Sequence, residues 1–110
     1  MMQVNIQLKK GALELCVLSI LSRKDCYGYE LVSEISKNIE ISDGTIYPLL
    51  RRLNAEGYFT TYLQESSEGP PRKYYKITEL GLSTNEEMKQ EWFKLQRGIT
   101  NIIEGVHEND

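Results

Sequence analysis

The segment Ser42 to Leu53, Ser-Asp-Gly-Thr-Ile-Tyr-Pro-Leu-Leu-Arg-Arg-Leu, most constrains what this chain can fold into. Ile46, Leu49, Leu50 and Leu53 recur at helical spacing, which gives one apolar face directed into a core. Thr45, Tyr47, Arg51 and Arg52 fall on the other face and supply hydroxyl groups and two guanidinium forks. About twenty residues later, Arg72-Lys73-Tyr74-Tyr75-Lys76 forms a second cationic cluster on what reads as a β-hairpin. A helix able to enter a groove, followed by a basic hairpin able to touch the flanking backbone, predicts a winged helix-turn-helix with double-stranded DNA as partner.

Overall charge argues less clearly. The 110 residues carry a formal net charge of −3, and 40% are hydrophobic. That is room for one compact domain with part of its apolar surface completed by a partner chain. The acidity is concentrated in residues 79–110, which hold seven acidic and three basic side chains, whereas residues 42–78 hold four and five. Net charge therefore does not exclude DNA. Cys16 and Cys26 fit no metal-ligand spacing and read as reduced thiols of a cytoplasmic protein. The apolar run Ala12 to Leu21 is too short to span a bilayer and no cleavage site follows it, so neither a membrane nor a secreted destination is expected.

Four helices and one hairpin are predicted, a mainly α, α+β chain. The first helix runs from about Leu8 to Ser22, apolar almost all round through Leu13, Leu15, Cys16, Val17, Leu18, Ile20 and Leu21, with Lys9-Lys10 and Arg23-Lys24 solvated at its flanks. Asp25 to Gly28 makes a turn into a second helix, roughly Gly28 to Lys37, with Leu31, Val32 and Ile35 inward. Ser42 or Asp43 caps the third helix and Gly57 ends it. Pro48 and Gly44 form an expected pair, glycine yielding where the proline ring presses on the carbonyl four residues back. Tyr58 to Leu63 and Lys73 to Ile77 are the strands, joined by a tip containing Pro70-Pro71. One of Tyr74 and Tyr75 packs inward. Thr78 caps a last helix from Glu79 to about Glu104, followed by a polar, frayed end in which His107 is a surface residue. The division is residues 1–78 for DNA binding and 79–110 for dimerisation.

Base reading in such a helix comes from its first turns, near Ser42, Asp43, Thr45 and Tyr47, while Arg51 and Arg52 anchor the backbone. Three blocks now carry a resemblance: Tyr27-Gly28-Tyr29-Glu30-Leu31, the segment Ser42 to Leu53, and Gly69-Pro-Pro-Arg-Lys-Tyr-Tyr-Lys-Ile-Thr-Glu-Leu-Gly81. Together, from about Gly11 to Gly81, they resemble the PadR family of bacterial transcriptional regulators, in the branch with a short C-terminal part. The resemblance implies a homodimeric winged-helix repressor, often released by a small molecule. It places DNA contact on Thr45, Tyr47, Pro48, Arg51 and Arg52, with Arg72 and Lys73 on the wing. Glu65 and Glu68 at the wing tip depart from more basic relatives and imply a weaker wing contact.

In the last helix Met88, Trp92, Leu95, Ile99, Ile102 and Val106 recur in steps of four and three residues, the period of a coiled-coil seam. An intermolecular seam is expected, with Phe93, Ile103 and Leu82 turned back toward the first helix. Two copies would address half-sites about one helical turn apart, on a pseudo-palindromic operator. Trp92 is an anchor of that seam. By resemblance to compact relatives it is also a wall, with Phe93, of a site between subunits for a flat aromatic effector.

The competing reading is a winged-helix adaptor that binds protein and not DNA. Catalysis is not expected: the sequence holds no Ser/His/Asp set, no paired acid and no phosphate-cradling glycine loop, and no metal or cofactor is implied.

Overall fold

A computed structural model describes residues 11–106. The elements are α1 (Ala12–Leu21), β1 (Cys26–Tyr27), α2 (Gly28–Ser36), α3 (Asp43–Ala55), β2 (Phe59–Gln64), β3 (Arg72–Ile77) and α4 (Glu79–Glu104). The expected helical start at Leu8 with Lys9 and Lys10, and the expected surface His107, lie outside the described residues.

One core holds the first three helices and the sheet together. Leu13, Val17, Leu18, Ile20 and Leu21 of α1 meet Leu31 and Ile35 of α2, Ile46, Leu50 and Leu53 of α3, and Phe59 and Tyr75 of the sheet. Phe59 and Tyr75 meet edge to face, with ring centroids 5.1 Å apart. Leu15 and Cys16 are only half-buried, so α1 is less enclosed than its composition suggests. They line a shallow groove between α1 and α2 with Ser19, Ile20, Ile35 and Ile39. Burial raises the Cys16 thiol above its ordinary pKa, which keeps it protonated.

The sheet has three strands in the order β1-β3-β2, all antiparallel. This corrects the reading of Asp25 to Gly28 as a turn: Cys26 pairs with Tyr75 and Tyr27 with Tyr74. Two residues carry no periodicity of their own, and they become a strand because β3 offers them an open edge. The hairpin register runs from Phe59 opposite Ile77 to Gln64 opposite Arg72.

Helix α3 ends in a Schellman arrangement, with the Gly57 amide bonded to Asn54 O at 3.1 Å and the Tyr58 amide to Leu53 O at 3.1 Å. Gly57 takes φ +85, as its place after the helix demands. The helix runs unbroken through Pro48. A β-carbon at Gly44 would meet only Ser42 Oγ, at 3.9 Å, so lack of room is not why glycine stands there.

Helix α4 is locked to the body at its start. Thr78 Oγ1 accepts from the Gly81 amide at 3.0 Å and donates to Gly57 O at 2.7 Å. One turn further, Asn85 is buried and its Oδ1 accepts from Ser19 Oγ of α1 at 2.9 Å. Met88 still packs on the core. Beyond it the helix leaves the domain, which accounts for a longest dimension of 61 Å against 30 and 20 Å. Leu82, Phe93 and Ile103 are all exposed, at variance with the expectation that they turn back toward α1. The contact with α1 is made by Asn85 through Ser19. The helix closes at Gly105 with φ +74 and a Val106 amide bonded to Asn101 O at 2.8 Å.

Candidate nucleic-acid interface

Helix α3 buries Ile46, Leu50 and Leu53 and leaves Pro48, Arg51 and Arg52 exposed, as helical spacing requires. Ser42 stands at the N-cap position, but its side chain makes no bond to a backbone amide. Its hydroxyl lies 3.1 Å from Thr45 Oγ1 instead, which corrects the capping expectation and places two hydroxyls side by side at the helix entrance. Tyr47 is half-buried rather than fully outward. Its ring lies against the backbone of Gly28, where a β-carbon would come 3.3 Å from Tyr47 Cε1. Glycine at the start of α2 thus makes room for an aromatic residue of α3 and sets how the two helices meet.

The two arginines have different surroundings. Arg52 bonds to Glu14 of α1 and, at 3.2 Å, to Glu56 one turn on. Those carboxylates, Glu14 first, raise the guanidinium pKa further. Arg51 makes no hydrogen bond or ion pair within the described residues. Its charge acts instead on Tyr75, whose phenol is raised chiefly by burial and then by Tyr47, with Arg51 opposing.

On the wing, alternation sorts the cations onto two faces. Lys73, Tyr75 and Ile77 share the face that packs on the helices, and Lys73 Nζ lies 5.7 Å from the Tyr75 ring centre. Tyr75 is therefore the inward tyrosine of the pair, with the wing's Lys73 beside its ring. Arg72, Tyr74 and Lys76 lie on the opposite face, where the Arg72 guanidinium sits 4.6 Å above the Tyr27 ring. Glu65 and Glu68 are exposed in the loop between the strands.

Sequence reasoning missed Glu14, Gly28, Asp25 and Tyr27 as parts of this region. The i,i+4 spacing of Arg52 and Glu56 was the one visible signal; the others depend on tertiary approach.

The seam residues lie elsewhere. Trp92, Leu95, Ile99, Ile102 and Val106 are 43 to 77% exposed along the part of α4 that has left the body. Phe93 lines a shallow hollow of about 360 Å³ with Gln96, Arg97, Thr100 and Asn101, and Trp92 is not part of it. No described helix is long and apolar enough to cross a membrane.

Three helices on a small antiparallel sheet, with exposed cations on a helix and on a hairpin, define a winged-helix protein. Comparison with known proteins takes this further. The model of the "Transcriptional regulator PadR-like family" matches residues 17–87, and the chain belongs to that family. It is similar to a PadR-like transcriptional regulator of Bacillus cereus, at 43% identity and a TM-score of 0.81, over 88% of this chain and 96% of that one. A PadR family transcription regulator of Clostridium difficile matches at 32% identity and a TM-score of 0.77, over 83% and 97%. Among curated relatives, the transcriptional regulator YqjI of Escherichia coli is 36% identical over 74% of this chain, which spans 39% of that protein. The chain is a PadR-like transcriptional regulator with a long C-terminal helix.

Proposed function

We propose that this regulator is a homodimeric, cytoplasmic repressor that binds double-stranded DNA through α3 and the wing and is relieved by a small aromatic effector. The observation that carries the reading is that Arg51, exposed on α3, has no hydrogen-bond or ion-pair partner among the described residues, while Lys73 of the wing lies on the face that packs on the helices, 5.7 Å from the Tyr75 ring centre. A reading helix and a wing whose free cations share one side can straddle a groove and its flanking phosphates. Ser42, Thr45, Tyr47 and Pro48, on the first turns of α3, face the bases and sugars. Arg51 and Lys73 hold phosphates on that side, and Arg72 meets a flanking phosphate from the outer face of the hairpin. Arg52 joins them only by giving up carboxylates it already holds, so its larger part is to keep α3 against α1.

Residues 79–110 are the dimerising part. The exposed seam of Trp92, Leu95, Ile99, Ile102 and Val106 is a contiguous apolar stripe that a lone chain leaves in water. A twofold pair built on it sets the spacing between two α3 helices, and with it the half-site separation. Trp92 and Phe93 border the space between subunits, where a planar effector would alter that spacing.

The test is gel retardation of a duplex carrying the DNA upstream of this chain's own coding sequence. Retention by a dimer, lost as salt is raised, supports the reading. A chain that retains no duplex at low salt contradicts it and favours a protein-binding adaptor. Tryptophan fluorescence that stays constant across a panel of planar aromatic cations contradicts the effector.

A further inference from the structure

The outer face of the sheet carries a row of aromatic rings that the DNA-binding reading does not use. Tyr62 of β2, Tyr74 of β3 and Tyr27 of β1 are direct cross-strand neighbours. Tyr62 and Tyr74 stack with centroids 5.5 Å apart and planes 14° apart, and Tyr27 leans on Tyr74 at 5.5 Å. Tyr62 and Tyr74 give their faces to each other, and Tyr27, tilted 57° to Tyr74, has its own face covered by Arg72, so this is not a platform left open for a flat ligand. The row is closed at two points. The Tyr62 hydroxyl donates to Asp25 Oδ2 at 2.7 Å, and the Arg72 guanidinium covers the Tyr27 ring at 4.6 Å.

Both closures join the hairpin to the segment that leads into α2. The backbone link between these parts is only two residues of β1 long. The hairpin beyond Phe59 is mostly exposed on β2, so the core does little to fix its angle. The row does that work on the far side. It also holds Arg72, a long side chain that would otherwise lose rotamer freedom on meeting a phosphate.

We propose that Asp25, Tyr27 and Tyr62 are positioning residues for the wing: they set the angle of the hairpin and hold the Arg72 guanidinium in place for DNA without touching DNA themselves. The inference rests on the DNA-binding reading. Tyr62 is the strap that reaches across β3, Asp25 is its anchor, and Tyr27 is the seat of the cation.

The experiment measures affinity and salt slope of the full chain for the upstream duplex. Tyr62→Phe keeps the ring and removes the hydroxyl, and Asp25→Ala removes the acceptor; each is expected to weaken binding about three- to tenfold. Asp25→Asn keeps an acceptor oxygen and is expected to stay within about twofold of the parent chain. Tyr27→Phe keeps the seat. Tyr27→Leu removes it and is expected to lower the salt slope by about one, as Arg72→Ala does. If the parent chain binds and all these variants match it in affinity and slope, the positioning role is overturned. If the parent chain retains no duplex, the DNA-binding reading is what fails. Amide exchange then decides the strap alone: faster exchange in β2 and β3 of Asp25→Ala than of Asp25→Asn keeps it, and equal exchange removes it.

Discussion

Gly81 of α4 packs so closely on the carbonyl of Tyr58 that a β-carbon at position 81 would overlap it. The same carbonyl accepts from the Thr78 amide at 3.1 Å, and Thr78 Oγ1 bonds to Gly57 O at 2.7 Å. The direction in which α4 leaves the domain is therefore set at the turn that ends α3. Gly81→Ala is expected to destabilise the fold by about 1–3 kcal/mol through overpacking, and Thr78→Ala by about 1 kcal/mol through the lost cap. Urea denaturation checks both, and unchanged midpoints for Gly81→Ala would remove the close approach.

Gly28→Ala puts a methyl 3.3 Å from the Tyr47 ring. The ring can give way by a few tenths of an ångström, so stability is expected to change by less than about 1 kcal/mol. Tyr47 lies on the reading helix, and DNA affinity is expected to fall more than stability does. Equal affinity for parent and variant, measured by fluorescence anisotropy, would separate Tyr47 from the reading surface.

Tyr62 is expected to be a late phenol to ionise. Its hydrogen bond to Asp25, then desolvation, then the Asp25 charge push its pKa up to about 12 from an ordinary value near 10. The folded value lies above the unfolded one, so the neutral phenol contributes stability in full below about pH 10 and loses it as pH rises through about 12. Phenolate absorbance should show a phase near pH 12 that disappears in Tyr62→Phe. Its persistence in that variant would assign the shift to another residue.

Leu95→Asp and Ile99→Asp each place a charge in the proposed seam, at exposed positions of α4. Sedimentation should report a folded monomer for each, with DNA affinity reduced because one half-site is lost. A dimer that survives both substitutions would move the interface elsewhere.

The reading helix, the hairpin and the apolar stripe of α4 are legible because each depends on local periodicity or turn chemistry: Ile46 to Leu53 repeats at helical spacing, and Gly57 follows the helix it ends. The partners are less legible. Spacing offers Arg52 only Glu56, and α1 brings Glu14 to it from 38 residues away. Cys26 and Tyr27 read as a turn because a two-residue strand is defined by the edge it meets. The outward facing of Phe93 and Ile103 follows from the angle fixed at Gly81, which no periodicity encodes. Alternation along β3 does predict that Tyr74 and Tyr75 part company; which of them goes inward depends on the register with β1 and β2.

The most direct test is the salt dependence of binding to the upstream duplex by the parent chain, Arg51→Ala, Lys73→Ala and Arg52→Ala. If free cations on α3 and the wing share one DNA-facing side, Arg51→Ala and Lys73→Ala each lower the magnitude of the slope by about one, and Arg52→Ala lowers it least. Slopes for Arg51→Ala and Lys73→Ala that equal the parent's would contradict that arrangement.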